Sequence, residues 1–151
     1  MEELNRTELI GACEEYLNKR IAVVRKAMDG LKDDLENESK SSAGDKYETG
    51  REMINLEWNK LTIQLNEYDR LAQILVRIKD HKPGTKAVLG SLVLTDATNY
   101  FISIPAGEIG TGNQKCYAVG IKAPIAQQLL GKEVGDHFTT NGKEFRIMNI
   151  T

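Results

Sequence analysis

The chain has 151 residues, of which 40% are hydrophobic, 28% charged and 6% aromatic. This length suits one compact domain or two small ones and excludes a large multidomain enzyme. With 20 basic and 22 acidic residues the net charge is −2, so no overall positive field attracts the chain to bare nucleic acid or to an anionic membrane. No apolar run approaches the ~18 residues of a membrane span, and the first residues lack the basic start and apolar core of a signal peptide. We expect a cytoplasmic protein that binds another protein surface.

The two halves of the chain differ in composition on either side of Pro83-Gly84. Residues 1–83 hold 31 of the charged residues and 4 of the 13 glycines, whereas the remainder holds 11 and 9. Long helices are poor in glycine, and short strands joined by tight turns are rich in it. The sequence therefore predicts an α+β protein with a helical domain over residues 1–82 and a sheet domain over residues 83–151.

Two series of apolar residues in the first half advance by steps of three and four, as in helices that pair along a seam. A polar break over residues 39–44 separates them, and a short loop between two such helices implies an antiparallel coiled-coil hairpin. At ~1.5 Å per residue, helices of roughly 33 residues would form a projecting rod of about 50 Å. The first series is Ile10, Cys13, Leu17, Ile21, Val24, Met28, Leu31 and Leu35, and the second is Tyr47, Ile54, Trp58, Leu61, Leu65, Tyr68, Ala72 and Leu75.

The second half has short β-prone runs bounded by glycines, which predict a small antiparallel sheet. A helix is predicted over residues 124–130, because Pro124 suits a first turn and Gly131 suits a helix end. The pair Asn141-Gly142 is a strong signal for a two-residue hairpin turn. The predicted strands are residues 87–95, 99–104, 116–121, 137–140 and 144–150.

The sequence contains no self-contained active site. His81 and His137 stand alone, and Cys13 and Cys116 are too far apart in sequence for a metal knuckle or a redox motif, so both are predicted to be packing residues. The glycine-rich residues 107–112 resemble a phosphate cradle, but neither a Lys-Ser/Thr pair nor a helix pattern follows. A hairpin connection is the better interpretation of that segment.

Acidic residues are concentrated at the predicted tip of the hairpin. Asp45 and Glu48 are three positions apart, so one helical face can present both carboxylates to a divalent cation. Mg²⁺ takes about six oxygen ligands, so a partner that already holds the metal would have to complete the shell. The same two residues also fit a capping box, in which each satisfies the other's backbone N–H. Four acids, Asp33, Asp34, Glu36 and Glu38, fall at the end of the first helix, where negative charge is unfavourable.

Basic residues on the two helices offer a separate possibility. A stripe of them could contact an RNA backbone, although mixed charges are also the ordinary state of the outer faces of coiled coils. The residues are Arg20, Arg25, Lys26, Lys60 and Arg70.

The layout and two motifs resemble the Gre transcript-cleavage factors of bacterial RNA polymerase. The segment Gly44-Asp45-Lys46-Tyr47-Glu48-Thr49-Gly50 is similar to the Gly-Asp-x-x-Glu-Asn-Ala of that family. The segment from Ala123 to Asp136, APIAQQLLGKEVGD, is similar to the family's Ser-Pro-Ile-Ala-x-x-Leu-x-Gly-Lys-x-x-Gly-Asp. The resemblance covers nearly the whole chain, and its second motif is the longer and more specific.

The resemblance implies an FKBP-like fold for the sheet domain and RNA polymerase as the partner. The rod would enter the secondary channel, where Asp45 and Glu48 would help to hold a Mg²⁺ shared with the polymerase, and backtracked RNA would be hydrolysed near its 3′ end. The segment around Ala123, Pro124 and Ile125 would bind the polymerase rim. In this family the isolated factor is not an enzyme, and its FKBP-like domain is not a working prolyl isomerase.

Two departures from the family pattern affect the expected mechanism. Thr49-Gly50-Arg51 stands where the family has Asn-Ala-Glu, which places a cation at a usually acidic position, and Ala123 replaces a usual Ser. Some Gre-like relatives occupy the same channel and regulate or inhibit the polymerase without cleavage. We therefore expect a cleavage-stimulating elongation factor, with a non-cleaving regulator as the alternative.

Overall fold

The structure is a computed structural model that describes residues 5–39, 44–110 and 115–151, with residues 38, 39 and 44–49 described by their backbone. Two long helices precede a mixed sheet and a short helix. Within the described ranges no helix combines the length and the apolar composition that a membrane crossing requires. The elements are α1 (Arg6–Ser39), α2 (Gly44–Ile78), β1 (Leu92–Thr95), β2 (Asn99–Ile102), β3 (Gly107–Ile109), β4 (Cys116–Val119), α3 (Pro124–Leu129), β5 (His137–Thr140) and β6 (Lys143–Ile150).

The chain divides into two compact units within its long helices. One unit comprises Met1–Tyr16 and Leu71–Thr151, and the other comprises Leu17–Arg70. The first residues of α1 and the last turns of α2 therefore belong to the same unit as the sheet. The domain boundary between residues 82 and 83 stays a prediction.

The unit Leu17–Arg70 is a pair of antiparallel helices. The Lys32 ammonium lies 5.9 Å from the centre of the Trp58 ring. Val24, about two turns earlier in α1, lines a groove with Leu61 and Gln64 of α2. Residue numbers thus rise along one helix as they fall along the other. The predicted antiparallel pair of helices is present in this part of the chain, and the whole helices are 34 and 35 residues long.

The predicted seam agrees with the burial of the side chains. All eight predicted seam residues of α1 are buried or half-buried, and so are seven of those in α2. The remaining one, Tyr47, lies outside the described side chains. Leu71 and Ile78 are also buried, at 4% and 2% exposure, which the seam pattern did not predict. The three- and four-residue steps identify the buried stripe because they keep side chains on one face of a helix.

The sheet has six strands in the order β3-β4-β2-β1-β6-β5. Its pairings are antiparallel except that β2 and β4 are parallel, with Tyr100 opposite Tyr117. The prediction of a wholly antiparallel sheet is therefore wrong at this pairing. The reason is β3, which was interpreted only as part of a hairpin connection. After β2 the chain passes to the edge strand β3, which pairs with β4 in an antiparallel manner, so β4 enters beside β2 in the same direction as β2.

The first predicted strand begins too early. Residues 88–91 form a turn, closed by the Ser91 N–H donating to the Val88 carbonyl at 2.9 Å. In this turn Gly90 has a φ of +95°, and the Gly90 N–H donates to the Ile102 carbonyl at 2.7 Å. A positive φ cannot continue a strand, so β1 starts at Leu92. The helix predicted over residues 124–130 is present as α3, and Gly131 follows it with a φ of +84°.

One face of the sheet carries the main apolar cluster. Leu129 of α3 is fully buried against Val93, Ile102 and Ile147 of the strands. At ~1.5–3 kcal/mol for each large apolar side chain removed from water, this cluster is a principal stabilising feature of the sheet unit. The cluster comprises Ala87, Val93, Ile102, Leu129, Phe138, Ile147 and Ile150.

The opposite face of the sheet is covered by the start of α1. Phe101 alternates with Ile102 along β2 and therefore points to the other side. The Arg6 guanidinium lies 5.4 Å from the centre of the Phe101 ring, and the Cys13 Sγ lies 3.9 Å from the Ser103 Oγ. Phe101, Cys13 and Ser103 are all at most 1% exposed, so this contact is a second core of the unit.

The turn between β5 and β6 confirms the prediction from Asn141-Gly142. Asn141 has a φ of +53° and Gly142 a φ of +77°, the left-handed pair that a type I′ turn requires. The register pairs Thr140 with Lys143 directly across the turn.

The glycines of this fold give a test of backbone conformation. We expect Gly142→Ala to reduce the free energy of unfolding by about 1–2 kcal/mol, because an alanine Cβ is strained at positive φ. Gly30→Ala, in the middle of α1 with nothing within 4 Å of an added Cβ, should raise it by up to about 1 kcal/mol. Thermal unfolding followed by circular dichroism checks both, and a stabilising Gly142→Ala would contradict the turn assignment.

Candidate partner-binding sites

The acidic pair Asp45 and Glu48 lies at the start of α2. The backbone of both residues is helical, in a helix that begins at Gly44. Positions three apart on a helix share a face, so the backbone meets the spacing condition of a two-carboxylate half-site. The first residue of a capping box has a non-helical backbone, whereas Asp45 lies one residue inside the helix. Their side chains lie outside the described residues, and both interpretations stay predictions. Among the described residues, no group of three or more His, Cys, Asp or Glu could hold a metal ion.

The acids near the end of α1 lie where the sequence analysis placed them. Asp33, Asp34 and Glu36 are exposed residues in the last two turns of a helix that ends at Ser39. The last turn carries no basic residue, and negative charge is unfavourable at this end of the helix dipole. The side chain of Glu38 lies outside the described residues. A run of acids at this end is therefore unfavourable for the helix itself.

The predicted partner-binding segment, Ala123 to Ile125, forms the start of α3. Ala123 is the N-cap residue, with an extended backbone and no side-chain cap hydrogen bond, and its N–H donates to the Gly120 carbonyl at 3.0 Å. The Gln127 side-chain amide donates to the Ile121 carbonyl. These bonds hold the turn before α3 against the helix.

Exposure differs along this segment. Pro124 is exposed and Ile121 is 37% exposed, whereas Ile125 is half-buried and packs on the apolar cluster under α3. Pro124 and Ile121 therefore present apolar surface to solvent next to the exposed Lys122. Of the three predicted residues, Pro124 faces solvent. The neighbouring Ile121, which the sequence analysis did not select, is the other apolar residue of this exposed surface.

The other residues of this motif are explained by the fold. Ala126 and Leu129 are fully buried, and Gly131 and Gly135 have φ angles of +84° and +93°. The Asp136 carboxylate accepts a hydrogen bond from the Glu133 N–H at 2.8 Å, which closes the turn before β5. Five residues of the motif are thus needed to build α3 and the following turn, whatever the protein binds.

The two cysteine thiols are buried in the sheet unit. Burial raises the pKa of Cys13 to about 11 and the pKa of Cys116 to about 12. A thiolate is the reactive form of cysteine, so both thiols are protonated and weakly nucleophilic at neutral pH. Cys13 contributes to packing against Ser103, as the sequence analysis predicted for a packing residue.

The sequence analysis missed a cluster of Arg6, His81 and Gly90 in the same unit. Arg6 donates a hydrogen bond to the Gly90 carbonyl, and a Cβ added at Gly90 would lie 3.1 Å from His81 Nδ1 and 3.2 Å from Arg6 Nη2. Arg6 Nε and His81 Nε2 are buried without a hydrogen-bond partner among the described residues. Gly90 is thus required here for its size as well as for its positive φ.

Burial lowers the pKa of His81 below its ordinary value of 6.5, and the Arg6 guanidinium lowers it further, while a hydrogen bond with the Thr151 backbone opposes both effects. At neutral pH the imidazole of His81 is therefore uncharged in the folded protein. Protonation would place a second positive charge beside Arg6 in a site from which water is partly excluded.

A groove of about 330 Å³ lies between the helices of the unit Leu17–Arg70. Apolar side chains of both helices form most of its surface, and the Gln64 amide donates to the Tyr68 hydroxyl at 3.3 Å along it. Of the predicted basic stripe, Arg20 lines this groove beside Lys19, while Arg70 is paired with Glu67 at 2.5 Å. The stripe is thus interrupted by an ion pair within α2.

The missing side-chain cap of α3 gives a test of the segment. Ala123→Ser should raise the free energy of unfolding by about 0.5–1 kcal/mol, because a serine hydroxyl at the N-cap accepts a backbone N–H bond that Ala123 leaves unmade. Denaturant unfolding checks the shift. Ala123→Val, which adds bulk without an acceptor, is the control, and equal stabilisation by both variants would contradict the capping argument.

The pKa of His81 predicts a pH dependence of stability. Below pH 6.5 the imidazole of His81 binds a proton more readily in the unfolded chain than in the folded protein. The contribution of His81 to the free energy of unfolding is therefore present above about pH 6.5 and is lost as the pH falls through the folded pKa. In a proton NMR titration of the His137→Gln variant, the one remaining imidazole should titrate below 6.5. Arg6→Met should move that midpoint upwards, and a midpoint above 6.5 in the parent would contradict the prediction.

No family model matches the chain, and no curated protein matches it.

Proposed function

We propose that this protein is a Gre-like transcription elongation factor that binds bacterial RNA polymerase through the secondary channel and stimulates cleavage of backtracked RNA. The observation that carries the proposal is the segment Ala123–Asp136. It matches the family motif at every specified position except Ala123. Pro124 in the first turn of α3 and Ile121 before it present apolar surface to solvent. An exposed proline beside exposed Ile121 is suited to a protein contact.

The finer fold assignment belongs to the same proposal. We infer that the sheet unit is FKBP-like, with α3 packed on one face of the sheet through Leu129. The lengths of α1 and α2, 34 and 35 residues, correspond to about 50 Å each at ~1.5 Å per residue. Helices of this length suit insertion into a channel, and the proposed partner would place the protein in the cytoplasm.

In this proposal Asp45 and Glu48 supply two carboxylate oxygens to a Mg²⁺ that the polymerase also binds. Their positions in the first turns of α2, three residues apart, support this role. Oxygen ligands are those that Mg²⁺ prefers, and the metal would supply an activated water for hydrolysis of the RNA near its 3′ end. The protein itself would contribute positioning and charge, and hydrolysis would belong to the polymerase.

A non-cleaving regulator of the polymerase is the second candidate function. Arg51 places a positive charge one turn after Glu48, which would weaken the attraction of a cation to the pair. The exposed acids Asp33, Asp34 and Glu36 at the end of α1 could repel or coordinate groups in the channel without cleavage. In that case Asp45 and Glu48 serve only to cap α2.

The two candidates are separated by a cleavage assay on backtracked polymerase at fixed Mg²⁺. We expect the parent to shorten the RNA and Asp45→Asn/Glu48→Gln to lose at least about tenfold in rate, because amides keep hydrogen-bonding capacity for the helix start but lose the charge that binds the metal. Asp33→Asn/Asp34→Asn removes the same charge from α1 and is the matched control. It should cleave like the parent.

Binding is measured separately by competition for the polymerase. Pro124→Asp should weaken binding of the full chain at least about tenfold, since it puts a charge on the apolar contact, whereas Asp45→Asn/Glu48→Gln should bind like the parent. Binding without cleavage by the parent would establish the regulator instead. If the parent neither binds nor cleaves, the Gre-like assignment is wrong.

A further inference from the structure

A second apolar stripe runs along α2 on the side away from the seam. Met53, Leu56 and Ile63 are 68%, 59% and 70% exposed, and their spacings of three and seven residues place them on one face of the helix. At 100° per residue Leu56 and Ile63 lie roughly 140–180° from the seam residues Ile54 and Leu61 around the axis, and Met53 lies about 90° from them. Isolated exposed apolar residues are ordinary on protein surfaces, but three large ones aligned at heptad spacing are typical of an unpaired coiled-coil face.

Lys60 lies within this stripe, at the position between Leu56 and Ile63 that an apolar residue would occupy in a continuous seam. A single polar residue at such a position specifies the register and orientation of a coiled coil at some cost in stability. A parallel partner of identical sequence would place Lys60 against Lys60, which is repulsive. An antiparallel partner avoids that contact.

We propose that this stripe binds the same stripe of a second copy of this chain, with the two α2 helices antiparallel. In the register that places Met53 opposite Ile63 of the second copy, Leu56 faces the aliphatic stem of Lys60 of the second copy. Glu57 of each copy then lies beside Lys60 of the other copy. The two-fold symmetry of the homodimer therefore produces two opposite-charge pairs. No like charges face each other directly, because Glu52 is opposite Gln64 and Glu57 is opposite Asn59.

The contact is small, and the dimer is therefore weak. The paired segment spans about 14 residues, or roughly 20 Å of helix, with three large apolar side chains from each copy. The area that such a contact buries is less than the ~1,600 Å² of a standard stable interface. We therefore expect a dimer Kd of about 10 µM to 1 mM. The proposal does not depend on the function proposed above, since it rests on the exposed face of α2 alone.

Sedimentation equilibrium of the full chain from about 5 µM to 1 mM tests the proposal within the range of weak association. We expect the parent to shift from monomer to dimer, and Leu56→Glu/Ile63→Glu to raise the Kd at least about tenfold by placing carboxylates in the contact. Val76→Glu is the matched control, because Val76 is 65% exposed on the same helix and lies roughly 200° away from Leu56 around the axis. It should dimerise like the parent.

A charge exchange tests the register. Lys60→Glu alone should weaken the dimer, and Lys60→Glu/Glu57→Lys should recover most of the affinity because the opposite-charge pairs return in reversed order. Far-UV circular dichroism reports whether each variant keeps its helices. A parent that stays monomeric throughout the concentration range overturns the proposal, and so does a dimer that Val76→Glu disrupts and Leu56→Glu/Ile63→Glu does not.

Discussion

The sheet unit depends on burial of the face of the sheet that carries Phe101. Six short strands expose apolar side chains on both faces, and the single turn-and-a-half helix α3 can cover only the face with Val93 and Ile102. The other face is closed by residues that come from far away in the chain, with Arg6 over the Phe101 ring and Cys13 beside Ser103. A sheet domain cut at Pro83 would lose this cover and leave a large aromatic side chain in water, so the helix ends are part of its core.

This dependence explains which parts of the fold were predictable from the sequence. The helices and their seam follow from periodicity within each segment, and the turn at Asn141-Gly142 follows from two adjacent residues whose backbone preferences are strong. The parallel pairing of β2 with β4 has no comparable local signal. It follows from β3, a three-residue strand, Gly107-Glu-Ile, that is too short to show alternation and contains the glycine expected of a loop.

The candidate sites also differ in how far the sequence predicts them. The start of α2 at Asp45 and the start of α3 at Pro124 were predictable because helix ends have local signatures. The cluster of Arg6, His81 and Gly90 was not, because it joins residues that are up to 84 positions apart and none of them belongs to a local motif. Gly90 illustrates the limit: the sequence offers a glycine beside a strand, whereas the space that the glycine leaves for Arg6 and His81 exists only in the folded unit.

The distinction between residues that the fold requires and residues that it does not also limits what a sequence motif indicates about function. Ala126, Leu129, Gly131, Gly135 and Asp136 are each required by α3 and its following turn, so their likeness to a family motif is evidence about fold before it is evidence about activity. Residues that the fold does not require are more informative about function. Ile121 presents apolar surface to solvent beside Pro124, and Asp33 and Asp34 lie near the unfavourable end of α1. Side chains that the fold does not need are therefore the ones at which a substitution can change binding without changing stability.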